Sequence, residues 1–150
     1  MKNKSKLVGF PIEFLYFLHQ IYFALGKHME KKFAECCKLT FSQFWIVHCV
    51  VECKNEKENS QSFIAKVMHL SEATVSKHIE KLVKLDVLKK RIDKKNRRQF
   101  ILEITKKGDK EYQKSVTTLS YELDKIFGKV EKTHESIVTN NFKIILENIK

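Results

Sequence analysis

The side chains best suited to chemistry crowd between positions 60 and 98. Ser60, Ser71, Ala73, Thr74, Ser76, Lys77, His78 and Lys81 are short polar, methyl-bearing or cationic groups, and Arg91, Lys94, Lys95, Arg97 and Arg98 follow them. All three Arg of the chain fall within eight positions, whereas the remaining 26 of its 29 cations are Lys. Codon bias in an AT-rich genome supplies Lys, but it does not gather guanidinium groups into one segment. A planar five-donor fork suits bidentate contacts to phosphates or base edges. Residues 84–98 hold eight cations against Asp86 and Asp93, a net +6. The charge of the chain, +11 overall, is therefore concentrated and points to a polyanion.

Groups that read base edges must stand on a rigid element anchored from behind. Val75, Ile79 and Leu82 recur at helical spacing and provide the anchor, with Val83 also expected to point inward. The opposite side carries Ala73, Thr74, Ser76, Lys77, His78 and Lys81. Thr74 and Ser76 can reach bases or phosphates, Ala73 can touch a thymine methyl, and Lys77 and Lys81 suit phosphate or guanine. Ser71 caps this helix and aims its positive end outward. Glu72 favours the helix dipole but repels DNA unless it accepts from a cytosine.

The surrounding pattern predicts mostly helix. Four Gly and one Pro in 150 residues argue against a sandwich or barrel of short strands. Pro11 suits the first turn of a helix over about 12–31, apolar around most of its circumference. Thr40 and Gln43 form a capping-box pattern opening a second helix to about Cys53. Residues 54–59 read as a polar linker, and Ser60 caps a short helix carrying Ile64, Ala65, Val67 and Met68. A tight turn at Leu70 leads to the anchored helix. Residues 87–93 and 98–104 then read as two strands joined by a polar turn. Thr105 caps a long helix to about Phe127, Gly128 closes it, and Thr133 caps a final helix.

Two helices joined by a tight turn and followed by a basic hairpin make a winged helix-turn-helix. The residues resemble the MarR family of bacterial transcription regulators. The matching stretches are Leu39-Thr-Phe-Ser-Gln-Phe44, Ile64-Ala65, Leu70-Ser71-Glu-Ala-Thr-Val-Ser-Lys-His-Ile79, Leu82 through Leu88, Asn96-Arg97-Arg98, and Leu102-Glu-Ile-Thr-Lys-Lys-Gly108. They cover about residues 39 to 108. The resemblance implies a mainly α fold with a small β-hairpin wing, whose tip enters the minor groove. It also implies N- and C-terminal helices that interleave into a two-fold homodimer. Residues 1–38 would then be a dimerisation helix, 39–104 the DNA-binding domain and 105–150 the C-terminal dimerisation helices, integrated in one protomer. Many relatives carry Arg at the wing tip, where this chain offers Lys95. One of Arg97 and Arg98 is instead expected to tie the hairpin to Asp93.

The expected function is a sequence-specific double-stranded DNA-binding regulator, a repressor, acting on a pseudo-palindromic operator. Its recognition helix would span about 72–84 and its wing about 87–104. The rival reading is a sequence-nonspecific architectural DNA-binding protein, which shares the charge but would not distinguish operator from random duplex. No nucleophile turn, phosphate loop or carboxylate pair points to an enzyme. No cofactor and no metal are expected: Glu30, Cys36 and His48 are of ligating types, with His28 nearby, but residues 106–127 contain no His or Cys to close a site.

Cys36, Cys37, Cys49 and Cys53 are candidates for an oxidant effector, against the simpler reading of small buried hydrophobes. Phe14, Phe17, Trp45 and Tyr112 are candidates to line a cleft for a small-molecule effector. Glu13 within the first apolar run, with His19 and Gln20 after it, argues against an export signal and for a cytoplasmic protein. No apolar stretch approaches the length that spans a bilayer, so no membrane partner is expected.

Overall fold

The computed structural model describes residues 10–53, 59–92, 100–128, 130 and 134–149. Within them the chain forms six α-helices and one hairpin, in the order α1 (Phe10–Cys36), α2 (Phe41–Glu52), α3 (Gln61–Met68), α4 (Glu72–Lys84), β1 (Leu88–Ile92), β2 (Phe100–Ile104), α5 (Lys106–Phe127) and α6 (Glu135–Ile149). The first helix runs further than its apolar pattern suggests, because nothing after Lys31 breaks it and Met29 and Phe33 are fully buried near its end. Thr40 starts α2 as expected. Its hydroxyl accepts from the Gln43 amide at 3.2 Å, and the Gln43 side chain accepts from the Thr40 amide at 3.0 Å.

The chain divides into two compact units, residues 1–118 and 119–150. The core of the first is built from Phe33, Leu39, Phe44, Ile46, Val47, Ile64, Val75, Ile79, Leu82, Leu88 and Leu102, each at most 1% exposed. Rings extend this core outward. Phe44 packs edge-on against Phe33 at 5.5 Å and stacks on Tyr112 at 5.6 Å, and Trp45 closes on Phe44 at 5.3 Å. In the second unit Lys125 pairs with Glu122 at 3.2 Å and sits over the Tyr121 ring at 3.9 Å. No residue of α6 is buried.

One expectation is corrected, one is met by an unexpected backbone, and others fall outside the described residues. Val83 is not inward: it lies on the exposed side of α4, since the buried row is set by Val75, Ile79 and Leu82 and Val83 falls beside it. Gly128 ends α5 through a hydrogen bond from its amide to the Asp124 carbonyl, without the left-handed backbone that usually recruits glycine there. The linker at 54–58, the hairpin tip with Asp93, and the Thr133 cap lie outside the described residues. Among the described residues no helix is long and apolar enough to cross a membrane.

Candidate nucleic-acid interface

The turn between α3 and α4 sets the angle at which the anchored helix is presented. His69 takes the left-handed conformation (φ 51°, ψ 38°) that closes α3, and its amide and that of Leu70 return to the Lys66 and Ala65 carbonyls. Ser71 then begins α4: its hydroxyl accepts from the Thr74 amide at 3.2 Å and lies 2.8 Å from the Thr74 hydroxyl. Val75, Ile79 and Leu82 are wholly buried, so α4 cannot roll about its axis without opening the core. Ala73, Lys77 and Lys81 are exposed, and Thr74, Ser76 and His78 are half-buried. The Ser76 hydroxyl donates to Glu80 at 3.4 Å. Glu72 faces solvent, and its backbone carbonyl accepts from the Gln61 side chain.

Residues 105–108 fasten the far end of α4 to the hairpin. The Thr105 hydroxyl accepts from the Gly108 amide at 2.9 Å, capping α5, and donates to the Asp86 carbonyl at 2.6 Å. Lys107 donates to the Leu85 carbonyl at 2.7 Å, where the last carbonyls of α4 lack helical partners. Gly108 lies against the Val87 backbone so closely that a Cβ there would sit 2.0 Å from the Val87 oxygen. Asp86 turns the chain between α4 and β1 at φ 59°. One short segment thus fixes the recognition-type helix, the start of the wing and the long helix together.

In the hairpin, β1 and β2 pair antiparallel with Lys89 opposite Glu103, Lys90 opposite Leu102 and Ile92 opposite Phe100. Arg91 donates from Nε to Glu103 at 2.7 Å, and Lys89 reaches the other carboxylate oxygen at 2.9 Å. Hydrogen bonds from Arg91 and then Lys89 hold the Glu103 carboxyl below its usual range. Glu103 is absent from the sequence candidates, because it lies beyond the basic stretch at 84–98; the signal that finds it is the strand register, which puts it directly across from Lys89.

Of the expected contact residues, Ser71 is exposed at the start of α4, Ala73, Lys77 and Lys81 are exposed along it, and Thr74, Ser76 and His78 are half-buried on its flanks. Ser60 is buried, with its hydroxyl capping α3 by accepting from the Phe63 amide. Arg91 lies on the hairpin in the pair with Glu103. Lys94, Lys95, Arg97 and Arg98 lie outside the described residues.

The residues weighed for metal or effector roles have the following partners. His48 Nδ1 is 2.9 Å from the Tyr112 hydroxyl. Burial of that ring, with Glu52 and Asp109 nearby, pushes the Tyr112 phenol up. Glu30 caps α2 across the gap from α1, accepting from the Phe41 and Ser42 amides and the Ser42 hydroxyl. Trp45 and Tyr112 join the aromatic cluster on Phe44, and Phe17 meets Tyr16 edge-on on α1. Among the described residues no three His, Cys, Asp or Glu side chains gather as metal ligands would.

The four thiols differ in their surroundings. Cys36 is exposed, Cys37 is half-buried with its sulfur 3.5 Å from the Thr118 hydroxyl, and burial pushes the Cys49 thiol up. A raised thiol has less thiolate at a given pH and reacts more slowly. Alkylation by iodoacetamide at pH 8 is therefore expected to modify Cys36 first and Cys49 last, read by peptide mass spectrometry over time. Early modification of Cys49 in the folded protein would contradict that order.

Comparison with known proteins places this geometry. The family described as "Transcriptional regulator SarA/Rot" matches residues 28–115. Comparison with the curated proteins gives no match. Among solved structures, the transcriptional regulator BldR from Sulfolobus solfataricus is similar at a TM-score of 0.83 and 17% identity, covering 96% of this chain and 99% of that one. A MarR/EmrR family regulator from Acinetobacter sp. ADP1 reaches 0.79 at 11% identity, with 95% and 98% covered. The S. aureus MepR–DNA complex reaches 0.74 at 14% identity, with 91% and 98% covered. At these identities the likeness establishes the winged-helix fold of MarR-type regulators.

Proposed function

We infer that this chain, which belongs to the SarA/Rot family of transcriptional regulators, is a homodimeric repressor that reads a pseudo-palindromic operator. The family and the solved relatives are transcription regulators rather than enzymes, and the family assignment carries DNA binding as its coarse activity. The observation that carries the finer reading is α4 itself. Its buried row pins it, its cap and short polar groups face out, and residues 105–108 lock it to a basic hairpin. That arrangement suits a helix in the major groove with the wing at the minor groove. The DNA-bound relative MepR supports the same reading.

Ser71, Ala73, Thr74, Ser76, Lys77, His78 and Lys81 are the contacts we assign to α4. The wing cations Lys94, Lys95, Arg97 and Arg98 complete the set, whereas Ser60 is spent on capping α3 and Arg91 on its pair with Glu103. Residues 1–38 and 105–150 supply the dimerisation helices around the DNA-binding part at 39–104. An oxidant effector would reach Cys36 first, since it is the exposed thiol.

Single substitutions separate readout from attachment. Lys77→Ala or Ser76→Ala is expected to weaken operator binding by about 1–3 kcal/mol while changing random-duplex binding little. Arg97→Ala or Lys95→Ala is expected to weaken both duplexes alike and to flatten the salt dependence by about one counterion. Anisotropy titrations with operator and scrambled duplexes over a range of salt measure both. Wing variants with unchanged affinity would overturn the minor-groove role, and α4 variants that weaken both duplexes equally would overturn base readout.

A further inference from the structure

We propose that Glu103 sets the specificity of this regulator by withholding two wing cations, Lys89 and Arg91, from the DNA backbone. The inference rests on the DNA-binding reading above and extends it to a residue outside the contact set. The described strands carry Lys89, Lys90 and Arg91 on β1 and a single acid, Glu103, on β2. Both oxygens of that acid are used, one by Arg91 Nε at 2.7 Å and the other by Lys89 Nζ at 2.9 Å. The antiparallel register fixes the arrangement, with Lys89 directly across from Glu103 and Arg91 two residues further along β1.

A cation held by a carboxylate gains less from a phosphate, because the new contact must break the existing ion pair as well as release a counterion from the DNA. Each cation added to the phosphate contacts steepens the logarithmic salt dependence by about 0.9, which at roughly 0.15 M salt corresponds to about fivefold in affinity. This gain is independent of sequence. It raises binding to every duplex and erodes the ratio of operator to random binding on which a regulator depends. Lys90, on the opposite face of the strand and over the Phe100 ring at 5.8 Å, lies outside this control. The carboxylate therefore sets how many of the hairpin cations bind phosphate indiscriminately, and leaves readout to α4.

The test is a double-mutant cycle on the full chain. Random-sequence and upstream duplexes are titrated by fluorescence anisotropy across a salt series. Glu103→Gln is expected to tighten random-duplex binding by about 5-fold to 30-fold near 0.15 M and to steepen the salt slope by about 1–2. The operator preference falls accordingly. Lys89→Gln is expected to change random-duplex affinity less than about twofold in the wild-type background and about fivefold in the Glu103→Gln background. Glu103→Asp, which keeps the charge, is expected to stay near wild type. Random-duplex affinity and slope unchanged or reduced in Glu103→Gln would overturn the proposal, and so would a Lys89→Gln effect equal in both backgrounds. A thermal melt of each variant separates lost folding from altered binding. Failure of the wild-type chain to bind either duplex would instead reject the DNA-binding reading itself.

Discussion

Replacing Tyr22 and Phe23 by Glu is expected to turn the proposed dimer into a monomer and to cut operator affinity by about a hundredfold or more. Both rings project from α1 into solvent, Tyr22 at 73% and Phe23 at 60% exposed, alongside Ile12, Leu15, Tyr16, Phe17 and Ile21. An exposed apolar surface of that size, spread around most of one helix, is unusual on a protein that stays alone. Each such side chain contributes about 1.5–3 kcal/mol when fully buried, so burial of this surface against a second copy is a strong driving force. Two buried carboxylates without partners reverse it. The lobe that carries α4 is untouched, because Met29 and Phe33, the fully buried residues of α1 among those described, lie further along the helix. Loss of affinity then reports the loss of a second, tethered half-site contact. Sedimentation velocity gives the mass, and anisotropy gives the affinity. A variant that remains dimeric, or a monomer that binds operator as tightly as wild type, would contradict the assignment of α1 to the dimer.

Gly108→Ala carries the second large effect, this time on stability. The added Cβ would lie 2.0 Å from the Val87 oxygen and 2.8 Å from its carbon. Neither is a flexible side-chain end, so backbone has to move. The Thr105 amide already donates to that same Val87 oxygen at 3.0 Å, and the Gly108 amide donates to Thr105. Relief of the clash therefore strains the cap of α5 and the joint between α4 and β1 together. The expected cost is about 3 kcal/mol, the upper part of the range for overpacking. Urea denaturation measures it through the midpoint at constant slope. A loss below about 0.5 kcal/mol, the level of an ordinary surface change, would contradict the close approach.

Much of this was readable in the residues because their local signals and the packing agree. Thr40 with Gln43, Ser60, Ser71 and Thr105 all cap the helices their positions imply, since a hydroxyl before an apolar period has few better uses. Val75, Ile79 and Leu82 bury as their spacing requires. The turns were less legible. Among the described residues the left-handed positions fall to His69 and Asp86 rather than to glycine, so the usual marker of a helix end was missing there. Val83 shows the limit of periodicity: one residue beside a buried row is carried outward by the 100° step of the helix.

The candidate site was legible as a list of residues, not as their connections. Glu103, Lys107 and Glu30 act through partners far along the chain, Lys89 and Arg91, the Leu85 carbonyl, and the α2 amides. Their roles depend on strand register and on which helix end meets which loop. Gly108 was visible as part of a motif, but its reason lies in the proximity of Val87.

The most direct test of the central claim is competition between two duplexes for the wild-type protein at one near-physiological salt concentration. One duplex comes from upstream of the protein's own gene, and the other is its scrambled sequence. Fluorescence anisotropy is expected to show a preference of about a thousandfold or more for the upstream duplex, the margin of a specific regulator. Equal and steeply salt-dependent binding to both would contradict it and mark the chain as an architectural DNA-binding protein.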